Sequence, residues 1–95
     1  MSWNTKTEEL EEVSVLTDVD KGSAIVLYND DVNTFDHVIY CLIKYCKQTA
    51  EQAEQCAMLV HYKGKCQVKN GSDIELIPIC QALTEKGLSA VIEEL

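Results

Sequence analysis

Asn29, Asp30 and Asp31 stand side by side in the stretch YNDDVNTFDHV, residues 28–38, directly after the apolar run SAIVLY. Two carboxylates and an amide at the end of a strand can hold a metal ion, act as a general base, cap a helix, or bind a cation. A metal would need three or four converging ligands, and Asp30, Asp31 and His61 are the candidates. The chain offers no H-x-x-x-H pair. A hydrolase would need a nucleophile beside its base, yet neither a G-x-S-x-G elbow nor a Cys–His signature occurs. His37, between Asp36 and Val38, reads as an ordinary helix-surface residue. His61 stands at the end of a helical pattern, where an imidazolium also interacts favourably with the helix dipole. On spacing alone, capping of the following helix is the leading account of the acidic cluster.

Composition narrows the classes. With 95 residues and 46% hydrophobic content, the expectation is one domain with one modest core. A formal net charge of −8 excludes non-specific binding to nucleic acid or anionic lipid, since both require an excess of Lys and Arg. Cys41, Cys46, Cys56, Cys66 and Cys80 fall mostly among apolar residues and form no C-x-x-C pair, so they read as small buried hydrophobes. The opening MSWNTKTEELEE lacks the basic start and apolar stretch of an export signal, and no apolar run approaches a membrane span. These features point to a reducing, cytoplasmic setting.

The elements that must position the cluster follow from periodicity. Residues 1–22 carry Glu8, Glu9, Glu11, Glu12, Asp18 and Asp20 against Lys6 and Lys21, and read as a flexible acidic arm, transiently helical over Glu8–Val15, with Trp3 as an incidental aromatic. Residues 23–95 form the folded domain. Ala24–Tyr28 reads as a strand. Phe35, Val38, Ile39, Leu42, Tyr45 and Cys46 recur at helical spacing after an N-cap at Asn33 or Thr34. Thr49 and Gln52 form a capping box for a second helix, which Gly64 closes. Lys65–Lys69 alternates as a strand, and Asn70-Gly71 signals a turn.

Ser72 and Glu75 look like another capping box, but Pro78 would then fall inside the helix. The preferred reading is a kinked helix, or one that starts near Ile77 with Pro78 in its first turn. It ends at Lys86–Gly87, and Leu88–Ile92 forms the last strand, followed by the tail Glu93–Leu95. The order β-α-α-β-α-β predicts a two-layer α+β domain, a three-stranded antiparallel sheet packed against three helices.

VLYNDDVNTFDHVI, then AMLVHYKGK, then LTEKGLSAVIE together resemble the ClpS family, the adaptors of the bacterial N-end rule. The first stretch is also similar to the ClpS-like domain of eukaryotic N-recognin ubiquitin ligases. The resemblance covers about residues 23–94 and implies the same element order. It further implies a monomeric binding module, not an enzyme, with no cofactor or metal. Such a module holds the free N-terminus of an N-degron protein beginning with Leu, Phe, Tyr or Trp. It passes that protein to an Hsp100-class AAA+ unfoldase, ClpA-like or ClpC-like, coupled to the ClpP protease.

The family's α-amino contacts fall on Asn29, Asp30 and His61, with Asp31 near the mouth. Its hydrophobic pocket falls on Asn33, Phe35, Val38, Ala57, Val60 and Leu88. The chain departs from the family at Asn33-Thr34-Phe35, where Thr-Pro-Met is frequent, and at Ala57, where a larger residue, often Met, narrows the pocket. The segment between the second strand and third helix is shorter, so no unfoldase-docking residue is carried over. The alternative function is an interaction domain that modulates the unfoldase without binding N-termini.

Overall fold

Ile25 and Leu27 are fully buried, and so nearly are Ala24 and Val26 on the opposite side of the same strand. A strand buried on both faces belongs in the middle of a sheet. β1 (Ser23–Tyr28) accordingly lies between β2 (Lys65–Gly71) and β3 (Ser89–Glu94), in the order β2-β1-β3 with both pairings antiparallel. The computed structural model describes residues 22–95. The expected arm, including Trp3 and Glu8–Val15, lies outside the described residues apart from Gly22.

Three helices supply the second layer: α1 (Phe35–Cys46), α2 (Ala50–Lys63) and α3 (Asp73–Glu85). α1 packs on α2, α2 on β2 and α3 on β3. Their inward residues Val38, Leu42, Ala53, Val60, Leu76 and Leu83 meet Ile25 and Leu27 in one continuous core. Cys41 and Cys46 are buried in that core, Cys56, Cys66 and Cys80 pack half-buried against it, and all five are free thiols. Burial pushes the Cys46 thiol up to about 11 and, with a hydrogen bond involving Cys56, the Cys66 thiol up to about 12. They behave as small apolar residues.

The caps account for where the helices begin. Of the two candidates before α1, Thr34 is the N-cap, its hydroxyl accepting from the His37 N–H at 3.1 Å. Both halves of the Thr49–Gln52 capping box are formed, and Gly64 is the C-cap of α2.

Two expectations are corrected. α3 does not start near Ile77: the Ser72–Glu75 capping box is complete, the helix runs from Asp73, and Pro78 lies inside it. Two reciprocal hydrogen bonds at the cap hold the first turn. Pro78 is exposed, and so is Ile74, whose carbonyl loses its helical partner. Asn70-Gly71 does not turn either; it prolongs β2, pairing with Ala24 and Ser23. A Cβ at Gly71 would lie 2.7 Å from Glu75 Oε1, so a side chain there would push that carboxylate out of the cap. The strands are otherwise longer than their patterns suggest, β3 running to Glu94 because it pairs with β1 along its whole length. Among the described residues no helix is long and apolar enough to cross a membrane.

Candidate functional site

The chain leaves β1 at Tyr28 and is caught at once by α2: the Asn29 N–H donates to the Gly64 carbonyl at 2.9 Å. That bond brings the acidic loop beside the last turn of α2, where His61 stands. Asp30 then folds the loop back. Its Oδ1 accepts from the Val32 N–H at 2.9 Å and the Asn33 N–H at 3.0 Å, an Asx-type turn that aims the chain into α1. The Asn33 amide donates to Asp30 Oδ1 at 3.1 Å and Oδ2 at 2.9 Å, and to the Gly87 carbonyl at 2.9 Å. Ser89 Oγ donates to Asp30 Oδ2 at 3.4 Å. Capping of the loop is therefore part of what Asp30 does.

Burial alone would raise the Asp30 pKa. The donors from Asn33, Val32 and Ser89 outweigh it and hold the carboxyl below the usual aspartate value, so Asp30 is an anion at neutral pH.

A pocket of about 230 Å³ opens between this loop, α1, α2 and the start of β3. Leu27, Val38, Ala57, Val60 and Leu88 give it apolar walls; Asn29, Asp30 and His61 line it with polar groups. Asn33, Thr34, Phe35 and Tyr28 complete the lining. Within that lining the Phe35 and His61 rings are in contact, with centroids 5.3 Å apart and tilted by 57°. Tyr62 meets His61 edge-on with centroids 4.7 Å apart. His61 is exposed and lines the pocket, so its ring is accessible to a ligand there.

Every site residue expected from the sequence lines this pocket except Asp31, which is exposed on the loop and does not contribute to it. The three-ligand arrangement of Asp30, Asp31 and His61 is thus not assembled. Among the described residues no group of three or more His, Cys, Asp or Glu is placed to hold a metal. Leu27, Tyr28 and Thr34 were not foreseen in the lining. Alternation along β1 from the buried Ile25 would have pointed Leu27 inward. Tyr28 and Thr34 bracket the acidic loop on either side. His37 is also more than a surface residue: it is half-buried, and its Nε2 lies 2.8 Å from the Lys86 carbonyl.

The volume is below that of sites for drug-sized ligands and suits one side chain. Its apolar floor and anionic, acceptor-rich rim suit an apolar group joined to a donor-bearing cation. Together with the β-α-α-β-α-β frame, these features define a small α+β domain with a side-chain-sized binding pocket.

Comparison with known proteins places that domain. The chain matches the family described as "ATP-dependent Clp protease adaptor protein ClpS" over residues 20–91. It is similar to the ATP-dependent Clp protease adapter protein ClpS of Streptomyces coelicolor, at 33% identity over 94% of this chain and 93% of that protein. The ClpS adapter of Thermosynechococcus vestitus is 35% identical over 68% of this chain and 70% of its own length. The fold is similar to that of Agrobacterium tumefaciens ClpS2, solved bound to L-phenylalaninamide, with a TM-score of 0.72 and 18% identity over 76% of this chain and 94% of that one. The chain belongs to the ClpS family of Clp protease adaptors.

Proposed function

We propose that this adaptor binds the free α-amino group and the bulky hydrophobic first residue (Leu, Phe, Tyr or Trp) of N-degron proteins. It then delivers them to an Hsp100-class AAA+ unfoldase, ClpA-like or ClpC-like, of the ClpP protease, without chemistry of its own. The observation that carries this reading is the pocket itself, whose apolar floor of Val38, Ala57, Val60 and Leu88 ends at Asn29, Asp30 and His61. The α-amine of a protein has a pKa of about 7.7–8.0 and at neutral pH is mostly an ammonium with three donors. Those donors meet the Asp30 carboxylate, the Asn29 amide oxygen and an unprotonated nitrogen of His61. Asp31 adds negative charge outside the pocket.

Charge-assisted hydrogen bonds of this kind contribute about 1.5–3 kcal/mol each. Burying a Leu or Phe side chain adds roughly 1.5–3 kcal/mol. Against an association cost of about 4–15 kcal/mol, the surplus is consistent with an affinity on the order of micromolar. That strength allows cargo to be released to an unfoldase. An internal peptide segment has an amide in place of the ammonium, so it forfeits the charge and clashes with the pocket wall.

The test is fluorescence anisotropy with a labelled peptide beginning with Phe, alongside its N-acetylated twin. Binding of the free amine alone, lost in Asn29→Ala and Asp30→Asn, is the expected result. Asp30→Asn is chosen because it keeps an oxygen acceptor for the loop amides while removing the charge. Equal binding of both peptides, or none, would refute recognition of N-termini and leave modulation of the unfoldase as the function.

A further inference from the structure

The wall of the pocket formed by Leu88 belongs to a turn that is fastened from outside the pocket. α3 ends in a Schellman motif: the Gly87 N–H donates to the Thr84 carbonyl at 3.0 Å and the Leu88 N–H to the Leu83 carbonyl at 3.1 Å. Gly87 takes φ +91°, the left-handed conformation this motif requires. The motif uses the turn's N–H groups and leaves the carbonyls of Lys86 and Gly87 without partners inside α3. Two side chains four residues apart supply them, Asn33 in the loop before α1 and His37 in its first turn. Asn33 Nδ2 donates to the Gly87 carbonyl at 2.9 Å, and His37 Nε2 lies 2.8 Å from the Lys86 carbonyl. A carbonyl only accepts, so that imidazole nitrogen carries a proton and donates. It does so in the neutral Nε2–H tautomer and in the imidazolium alike. Leu88, the next residue, is 4% exposed and lines the pocket, and Ser89 reaches Asp30.

We propose that His37, which does not line the pocket, is a positioning residue that sets the pocket's width, and with it the discrimination among first residues. Its bond to Lys86 holds the α3–β3 turn against α1 and keeps Leu88 at the distance a small apolar side chain needs for contact. Asn33 holds the next carbonyl but is also tied to both oxygens of Asp30, so its removal disturbs the acidic loop as well. His37 acts on the turn without touching that loop. This inference rests on the proposed recognition of N-terminal residues.

The experiment compares His37→Leu, which keeps bulk but has no donor, with His37→Gln, whose amide N–H can reach the same carbonyl. Affinities are read for free-amine peptides beginning with Leu and with Trp, and thermal melting confirms folding. Loss of one hydrogen bond's tether should weaken the Leu peptide in His37→Leu by about five- to tenfold. The Trp peptide, large enough to follow a receding wall, should change by less than about twofold, and His37→Gln should restore the wild-type ratio. A purely stabilising role would lower the melting temperature and leave the Leu-to-Trp ratio unchanged, which overturns the proposal. If His37→Leu does not fold, His37→Asn, too short to reach Lys86, takes its place. Wild-type protein that binds neither free-amine peptide would overturn both readings. Wild-type binding with an unchanged ratio in the variant overturns only this one.

Discussion

The Asn33 side-chain amide donates to both carboxylate oxygens of Asp30, at 3.1 and 2.9 Å, and to the Gly87 carbonyl at 2.9 Å. One planar group thus joins the acidic loop to the turn that carries Leu88, so the polar rim and the apolar wall of the pocket are braced together. The lone pairs of Asp30 Oδ1 are largely taken up by Val32 and Asn33. Oδ2, with Asn33 and a long contact to Ser89, is the oxygen better able to accept a further donor. Its charge is available in either case.

Acid should loosen this brace. The donors from Asn33, Val32 and Ser89 together hold the Asp30 carboxyl below the ordinary aspartate value of 3.8 despite the opposing effect of burial. A depressed folded-state pKa contributes stability above the unfolded value, and that stability is lost as pH falls through the folded one. Between about pH 5 and about pH 2 the melting temperature of the wild type should therefore fall further than that of Asp30→Asn. Parallel curves would show that the carboxylate is not the group holding the loop.

The acceptor role of His61 can be tested by substitution at a single pH. His61→Gln keeps a side-chain oxygen acceptor at the end of α2, and His61→Ala removes it. A free-amine Phe peptide should bind His61→Ala several-fold more weakly than His61→Gln, the range expected for about one hydrogen bond. Equal affinities of the two variants in fluorescence anisotropy would contradict the acceptor role.

Ala57 is buried, 3% exposed, and lines the pocket. Replacing it by the larger methionine should fill space that a bulky first residue would otherwise occupy. Ala57→Met is expected to weaken a Trp peptide by about tenfold, equivalent to about 1.4 kcal/mol, and a Leu peptide less. Equal affinities of the wild type for peptides beginning with Phe and with Ala would count against a pocket selective for bulky residues at all.

Pro78 interrupts the hydrogen-bond ladder of α3 on an exposed face. Pro78→Ala restores the N–H that faces the Ile74 carbonyl. Stability should rise by about 1–3 kcal/mol, less than the full helix-interior penalty where proline's restriction of the unfolded chain offsets it. Denaturant unfolding gives the value, and a loss of stability would show that the proline is favoured where it stands.

Where a signal is local, the chain can be read directly. Thr49 and Gln52 complete the capping box at the start of α2, and Gly64 ends that helix in the left-handed conformation expected of a terminal glycine. β1 is apolar from Ala24 to Leu27, and it is the strand that becomes central. Nearly all the residues singled out for the site converge, because the end of β1, the end of α2 and the start of β3 are each marked locally and the fold joins them, as in the bond from the Asn29 N–H to the Gly64 carbonyl. Their motifs also carry the family resemblance.

Tertiary structure decided the rest. Pro78 is accommodated inside α3 because the cap before it and the packing of Leu76 and Leu83 outweigh one missing bond. Asn70-Gly71 stays extended because β1 offers partners to both residues and Glu75 needs the space. Asp30 and Asp31 are the same residue type one position apart, yet only Asp30 is folded into the Asx turn and lines the pocket. His37 is linked to a carbonyl 49 residues away, a bond that no spacing along the chain announces. The amino-acid sequence determined the elements and the chemical character of the pocket, since caps and periodicity act within a few residues. The width of the pocket and the employment of each polar atom depend on how α1 meets the end of α3, and only the assembled fold sets that.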